Sequence, residues 1–135
     1  MKNQLITIVT LSKLHDDCDL IVAENSKIPF PIKRVYSILN AESNMPRGYH
    51  AHRKTQQILF CLKGSVRMIL DNGVEKAECV LSDPSHGLLL DTMVWHEMHD
   101  MDESTILLVL ASHEYDEADY IRDYEVYTTE VKMGL

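Results

Sequence analysis

Arg47-Gly48-Tyr49-His50-Ala51-His52-Arg53-Lys54, followed by Gln57 and then by Cys61-Leu62-Lys63-Gly64, is the stretch that decides the fold. Two histidines at i and i+2 on a strand point to the same face, roughly 6.5–7 Å apart at the backbone. Such a pair can hold a metal or divide proton-transfer work, because histidine titrates near neutrality. It can also be two polar residues on a wet face. Gly48, Lys54, Arg47 and Arg53 set a turn-former and cations around the pair.

Outward from this stretch the chain reads as short strands. Leu5 to Val9 is a β-branched run, and Leu20 to Ala23 is short and apolar. Ile32 to Leu39 carries Val35, Tyr36 and Ile38. Gln57 to Leu62 leads through Lys63-Gly64 into Ser65 to Leu70. Asp71-Asn72-Gly73 reads as a hairpin turn, since Asn-Gly tolerates the positive φ angles of a type I′ turn. Val74 to Leu81 returns from it, and Leu88 to Leu90, a segment around Trp95, and Thr105 to Leu110 complete the series. Strands at this spacing with turn signals between them predict a β-sandwich or barrel. The acid-rich stretch Asp116 to Arg122 reads as a short helix near the C-terminus, because acids suit the start of a helix dipole.

A chain of 135 residues with 45% hydrophobic and 25% charged residues is one domain's worth, read here as a single domain over 1–135. Its formal charge of −8 argues against binding to nucleic-acid polymers or anionic membranes. The charge is unevenly spread. Residues 27–76 hold nine of the thirteen bases against three acids, a local +6. From Glu97 to Glu130 there are eleven acids and one base, Arg122. The basic centre reads as a small-anion pocket, and the acidic end as solvating surface. Cys18, Cys61 and Cys79 match no zinc spacing. Met1 to Thr10 lacks a signal-peptide pattern, and no apolar run is long enough to span a bilayer. The expectation is a reduced, cytoplasmic protein with no membrane partner.

The spacing around the histidines resembles the first cupin motif, G-x5-H-x-H-x3-4-E-x6-G, with Gln57 standing where the glutamate would be. His96 falls where the second motif supplies its histidine, without that motif's proline and glycine. The resemblance implies an all-β cupin, a double-sheet jelly-roll β-barrel, here with a short C-terminal helix. Three histidines, His50, His52 and His96, could bind zinc and leave an open position. A harder ion would want the carboxylate that Gln57 replaces.

A closer resemblance rests on Ile28-Pro29-Phe30-Pro31-Ile32-Lys33-Arg34-Val35-Tyr36, the Arg47–Gly64 stretch, Val94-Trp95-His96-Glu97-Met98-His99-Asp100 and Tyr115-Asp116-Glu117-Ala118-Asp119-Tyr120-Ile121-Arg122. These strings are similar to the cupin family of dTDP-sugar 3,4-ketoisomerases. The resemblance implies an isomerase of deoxysugar biosynthesis that moves the carbonyl of dTDP-4-keto-6-deoxy-glucose from C4 to C3. The products of such enzymes feed 3-amino-3,6-dideoxyhexoses for surface polysaccharides such as O-antigen. It further implies no metal or other cofactor, a homodimer with exchanged N-terminal strands, and His50 and His52 as the active-site pair. One departure stands out. The family's Asp-x-Arg-Gly turn is replaced here by Asp16-Asp17-Cys18-Asp19, which leaves the configuration at C4 of the product open.

Carbonyl migration needs removal of the C3 proton, an enediolate, and return of a proton to C4, with proton shifts between O3 and O4. The sequence favours His52 as the base at carbon and His50 as the relay. Tyr36 and Arg47 are expected to hydrogen-bond the developing oxyanion. The diphosphate calls for arginine. Arg34, Arg47, Arg53, Lys54 and Arg67 are the available cations, with Arg47 and Arg53 placed first because they flank the histidines. Gln57, Trp95, His96 and His99 are expected to line or neighbour the pocket. Competing readings are a cupin nucleotide-sugar epimerase, a metal-dependent cupin, and a non-catalytic sugar-binding cupin.

Overall fold

The structure is a computed structural model describing residues 5–134. The expectations for the Met1–Thr10 stretch and for a domain running over 1–135 also touch residues 1–4 and 135, which lie outside the described residues. Twelve strands are seen: β1 (Ile8–Thr10), β2 (Ser12–His15), β3 (Asp19–Val22), β4 (Arg34–Ile38), β5 (Arg47–His52), β6 (Gln57–Lys63), β7 (Val66–Asp71), β8 (Lys76–Leu81), β9 (His86–Leu90), β10 (Trp95–His99), β11 (Ile106–Ala111) and β12 (Tyr120–Ile121). One helix, α1 (Tyr124–Lys132), closes the chain.

Two five-stranded antiparallel sheets form the body. Their strand orders are β1-β9-β6-β11-β4 and β12-β5-β10-β7-β8, and among the described residues β2 and β3 pair only with each other. The double-sheet cupin expected from the sequence is thus the observed architecture. Side chains alternate across each strand, so one face of each sheet meets the other. Leu59 and Cys61 of β6, Leu88 and Leu90 of β9 and Val109 of β11 pack there against Val66, Met68 and Leu70 of β7 and Met98 of β10.

The first sheet is covered on its second face as well. Ile58, Phe60 and Leu110 are buried beneath Leu11, Ile28 and Phe30. This explains why β6 reads as an unbroken apolar run rather than an alternation. β8, at the edge of the second sheet, shows the opposite pattern, with Lys76, Glu78 and Val80 exposed between less exposed neighbours. The outer face of the second sheet carries Ala51, Trp95 and Ile121, and Tyr127 of α1 seals it. The Tyr127 hydroxyl shares its proton between the carbonyls of Asp71 at the end of β7 and Met93 in the β9–β10 turn, each 2.8 Å away, which ties the helix to both.

The C-terminal helix lies later than the sequence predicts. Residues 116–122 form a 3-10 turn (Glu117–Asp119) and then β12. Asp116 caps that turn by accepting from the Ala118 amide. Asp119 is buried, and its carboxylate accepts from the Lys54 amide and the Thr55 hydroxyl. These tertiary bonds, and the pairing of Tyr120 and Ile121 with β5, outweigh local helix preference. Asp123 then caps α1, accepting from the Glu125 and Val126 amides.

The 71–73 turn also differs in type. Asp71 pairs with Lys76, so the loop has four residues, and of Asn72 and Gly73 only Gly73 takes a positive φ, 90°. The Asn72 side chain instead accepts from the Val74 and Glu75 amides. Cys61 is a buried core residue, Cys79 is half-buried, and Cys18 is exposed at the β2–β3 turn.

Candidate active site

The site is built on a bulge. Along β10 and β5, His96 pairs with His50 but Glu97 pairs with Gly48, so Tyr49 is an extra residue on β5. Gly48 and Tyr49 both take left-handed angles, φ 88° and 58°. A Cβ on Gly48 would lie 2.9 Å from the His96 carbonyl oxygen, so glycine is required where the strands approach. The bulge lets Arg47 and His50 both line the cavity, while Tyr49 turns outward against the His99 ring.

Three imidazoles meet at this point. His50 and His52 have ring centroids 5.0 Å apart, and His96 lies 4.5 Å from His50 and 5.6 Å from His52. His50 Nδ1 donates to the Gly48 carbonyl at 3.1 Å, and His96 Nδ1 to the Val94 carbonyl at 3.2 Å. The two Nε2 atoms then face each other at 3.2 Å. With both Nδ1 atoms donating, both Nε2 atoms of the neutral rings are free acceptors, and a proton taken up by one can be shared with the other. His52 is 1% exposed, and its Nε2 has no hydrogen-bond partner among the described residues.

Burial governs the charge of all three. It pushes the His50 imidazole below its ordinary value, an effect partly opposed by the Gly48 carbonyl. Burial and the neighbouring His50 lower His52 from 6.5 to about 4. Burial, then His50 and His52, hold His96 well below 6.5. At neutral pH the cluster is a set of neutral bases.

One ring nitrogen from each of His50, His52 and His96 lies within 4.8 Å of the others, so the three could hold a zinc-type ion. Backbone carbonyls on the far nitrogens of His50 and His96 suit that role too. The fourth donor of the motif spacing is Gln57, which is neutral and bonded elsewhere: its Nε2 donates to the Tyr36 hydroxyl at 3.1 Å. Tyr36 enters from β4 on the opposite sheet, and burial raises its phenol pKa.

Of the three histidines, His50 opens onto a cavity of about 470 Å³. Arg34, Tyr36, Arg47, His50, Tyr120 and Arg122 supply its chemistry. Arg34 shares the Tyr36 face of β4, as strand alternation predicts, with its guanidinium 5.4 Å from the Tyr36 ring and 5.9 Å from Tyr115. The Arg34 Nε is buried without a hydrogen-bond partner among the described residues. Arg122 is paired with Glu117 and lies 4.3 Å over the Tyr120 ring. Among the described residues, neither Arg34 nor Arg47 has a carboxylate partner.

The other cations named from sequence are engaged elsewhere. Arg53 donates to Glu130 and to the carbonyls of Ala118 and Tyr120, so it braces the turn that carries Tyr120. Lys54 bonds Asp116. Arg67 sits between Asp100 and Glu78. Trp95 and His99 share a face of β10 opposite His96. Trp95 packs on Tyr127 of α1 and donates to Glu97, which also accepts from His99.

Tyr115, Tyr120 and Arg122 line the cavity as well, which the sequence alone does not single out. The acidic C-terminal third therefore supplies part of the wall as well as solvated surface. The signal was the two-residue step from Tyr120 to Arg122, which strand alternation puts on one face.

Most of the chain has known counterparts. The family described as FdtA (WxcM-like, C-terminal) matches residues 1–132. A curated TDP-4-oxo-6-deoxy-alpha-D-glucose-3,4-oxoisomerase from Aneurinibacillus thermoaerophilus is 48% identical over 120 residues, covering 87% of this chain and 86% of that protein. The crystal structure of QdtA, a sugar 3,4-ketoisomerase from Thermoanaerobacterium thermosaccharolyticum in complex with TDP, superposes with a TM-score of 0.92 at 42% identity, covering 97% of each chain. A histidine-to-asparagine mutant of QdtA, in complex with TDP-4-keto-6-deoxyglucose, superposes with a TM-score of 0.92 at 41% identity, over 98% of this chain and 97% of that one.

Proposed function

This chain belongs to the FdtA (WxcM-like, C-terminal) family, and from that membership we propose that it is a TDP-4-keto-6-deoxyglucose 3,4-ketoisomerase of deoxysugar biosynthesis. The observation that carries the reading is a trio of neutral histidines, with His50 lining a cavity that also holds two cations free of carboxylates among the described residues. Relatives that bear the same activity in their names cover nearly the whole chain.

The diphosphate is assigned to Arg34 and Arg47. Both line the cavity, both are free of carboxylates among the described residues, and guanidinium forks match phosphate oxygens. Arg53, Lys54 and Arg67 are already committed to acids. The sugar then lies toward His50 and Tyr36.

His50 lines the cavity, whereas His52 lies behind it. We therefore place His50 at the carbon and His52 in the relay, the reverse of the order favoured by sequence. His50 takes the proton from C3, and the electron pair forms the C3–C4 double bond as charge moves to O4. The enediolate is held by the Tyr36 hydroxyl and by nearby guanidinium. Return of a proton to C4 and transfer of the O3 proton to O4 through the relay leave the carbonyl at C3 and a hydroxyl at C4, with no net change in oxidation state. His96 shares the His50 proton, so the imidazolium formed at His50 has a partner. No step in this sequence calls on a metal.

We further propose a homodimer with exchanged N-terminal strands. Among the described residues the hairpin β2–β3 pairs with no other strand, and Leu14 and Leu20, which face each other across it, are each more than half exposed. Sedimentation at micromolar concentration tests this, with a dimer of two 15.5 kDa chains as the supporting result and a monomer as the opposing one. No helix among the described residues is long and apolar enough to cross a membrane, in keeping with a proposed cytoplasmic site of action. The activity itself is tested by incubating the purified protein with TDP-4-keto-6-deoxyglucose and identifying the sugar formed.

A further inference from the structure

Gln57 is 1% exposed at the start of β6, and its amide reaches across to the hydroxyl of Tyr36 on β4. A phenol has one proton to give and can accept two. Here the Gln57 N–H fills an acceptor position at 3.1 Å, and the Tyr36 hydroxyl donates to no described residue. Tyr36 lines the same cavity as His50. From this geometry we infer that Gln57 is a positioning residue that turns the Tyr36 O–H proton toward the substrate oxygen.

The chemistry depends on the amide being a donor. An enediolate needs donors aimed at oxygen as its charge grows. The Gln57 N–H makes Tyr36 a stronger donor, since it favours the phenolate form, as does the nearby Arg34 charge. A carboxylate at position 57 would accept the Tyr36 proton, turn it away from the cavity and place a negative charge beside the enediolate. Gln57 is thus tied to enediolate chemistry at this site. The inference rests on the ketoisomerase reading above.

The test is steady-state kinetics of Gln57→Glu beside the unmodified protein, from pH 5 to 9. Loss of one oriented donor predicts a kcat about 10- to 100-fold lower at pH 8 with KM changed by less than about threefold. Protonation of the new carboxyl restores a donor to Tyr36, so the variant's kcat rises relative to the unmodified protein as the pH falls. A purely structural role would not produce that pH-dependent recovery. A Gln57→Glu protein with unmodified kcat at pH 8 overturns the inference while leaving the ketoisomerase reading intact. An unmodified protein that forms no 3-keto product overturns both. If Gln57→Glu does not fold, Gln57→Leu and Tyr36→Phe decide. Their double variant is predicted to be no slower than Tyr36→Phe alone, and multiplying losses overturn the inference.

Discussion

His50 and His52 illustrate how neighbours in sequence come to play unequal parts. Period-two alternation puts both on one face, and the sequence shows that much. It does not show depth. The bulge at Gly48-Tyr49 leaves His50 on the cavity wall, while β12 closes over His52 through the Tyr120 ring, 4.5 Å away. His50→Asn is expected to lower kcat by about 10²- to 10⁴-fold, the usual range for a lost general base, with TDP binding measured by calorimetry little changed. The pH dependence has a definite sign. A buried imidazole with a lowered pKa stays neutral, and so basic, below its ordinary 6.5. The acid limb of kcat/KM is therefore expected below pH 6.5. The same shifts destabilise the fold in acid. Unfolded histidines take up protons near 6.5 while His52 waits until about 4, so stability is full above 6.5 and falls across that interval. His52→Asn should flatten the fall in melting temperature between pH 6.5 and 4, and an unchanged slope would contradict the assignment.

Elements were legible wherever burial matched a simple period. The core strands stand near where apolar runs predicted them, because β6 and β11 are covered on both faces and β8 on one. The helix lies later than the acid-rich stretch predicts because the buried Asp119 carboxylate ties that stretch to Lys54 and Thr55, and Asp123 caps α1 beyond it. Trp95 and His99 adjoin His96 in sequence and lie on the other side of β10. One-residue steps along a strand reverse direction, and motif proximity hides this. Two glycines separate site geometry from stability. A Cβ on Gly48 would meet the His96 carbonyl oxygen at 2.9 Å in a left-handed backbone, so Gly48→Ala is expected to cost about 1–3 kcal/mol and to lower kcat by re-aiming His50. A Cβ on Gly87 would lie 2.5 Å from both Ile58 Cγ2 and Phe60 Cε1, on the outer face of the first sheet. Gly87→Ala is expected to destabilise by about 1–3 kcal/mol through overpacking, with kcat of the folded fraction retained. Urea titration and active-site-normalised rates read both outcomes.

At the scale of the molecule, the split between a basic centre and an acidic end acquires a mechanism. Three of the nine central cations are engaged by the acidic end or by nearby acids: Arg53 by Glu130, Lys54 by Asp116, Arg67 by Asp100 and Glu78. Composition cannot show which cations remain free, because pairing is a property of the folded chain. Those left in the cavity without a described carboxylate are Arg34 and Arg47. Arg47→Ala is expected to raise KM for the TDP-sugar by about tenfold or more, the loss of one charge-assisted contact, while Arg67→Ala leaves KM within about twofold. Equal effects would place the diphosphate elsewhere. The central claim, carbonyl migration by histidines, is tested most directly by proton NMR of TDP-4-keto-6-deoxyglucose with chelator-treated protein in deuterated water. The account predicts a 3-keto sugar carrying solvent deuterium at C4, at a rate unchanged by the chelator. Exchange at C3 or C5 without carbonyl migration, or turnover that returns only on adding metal, would contradict it.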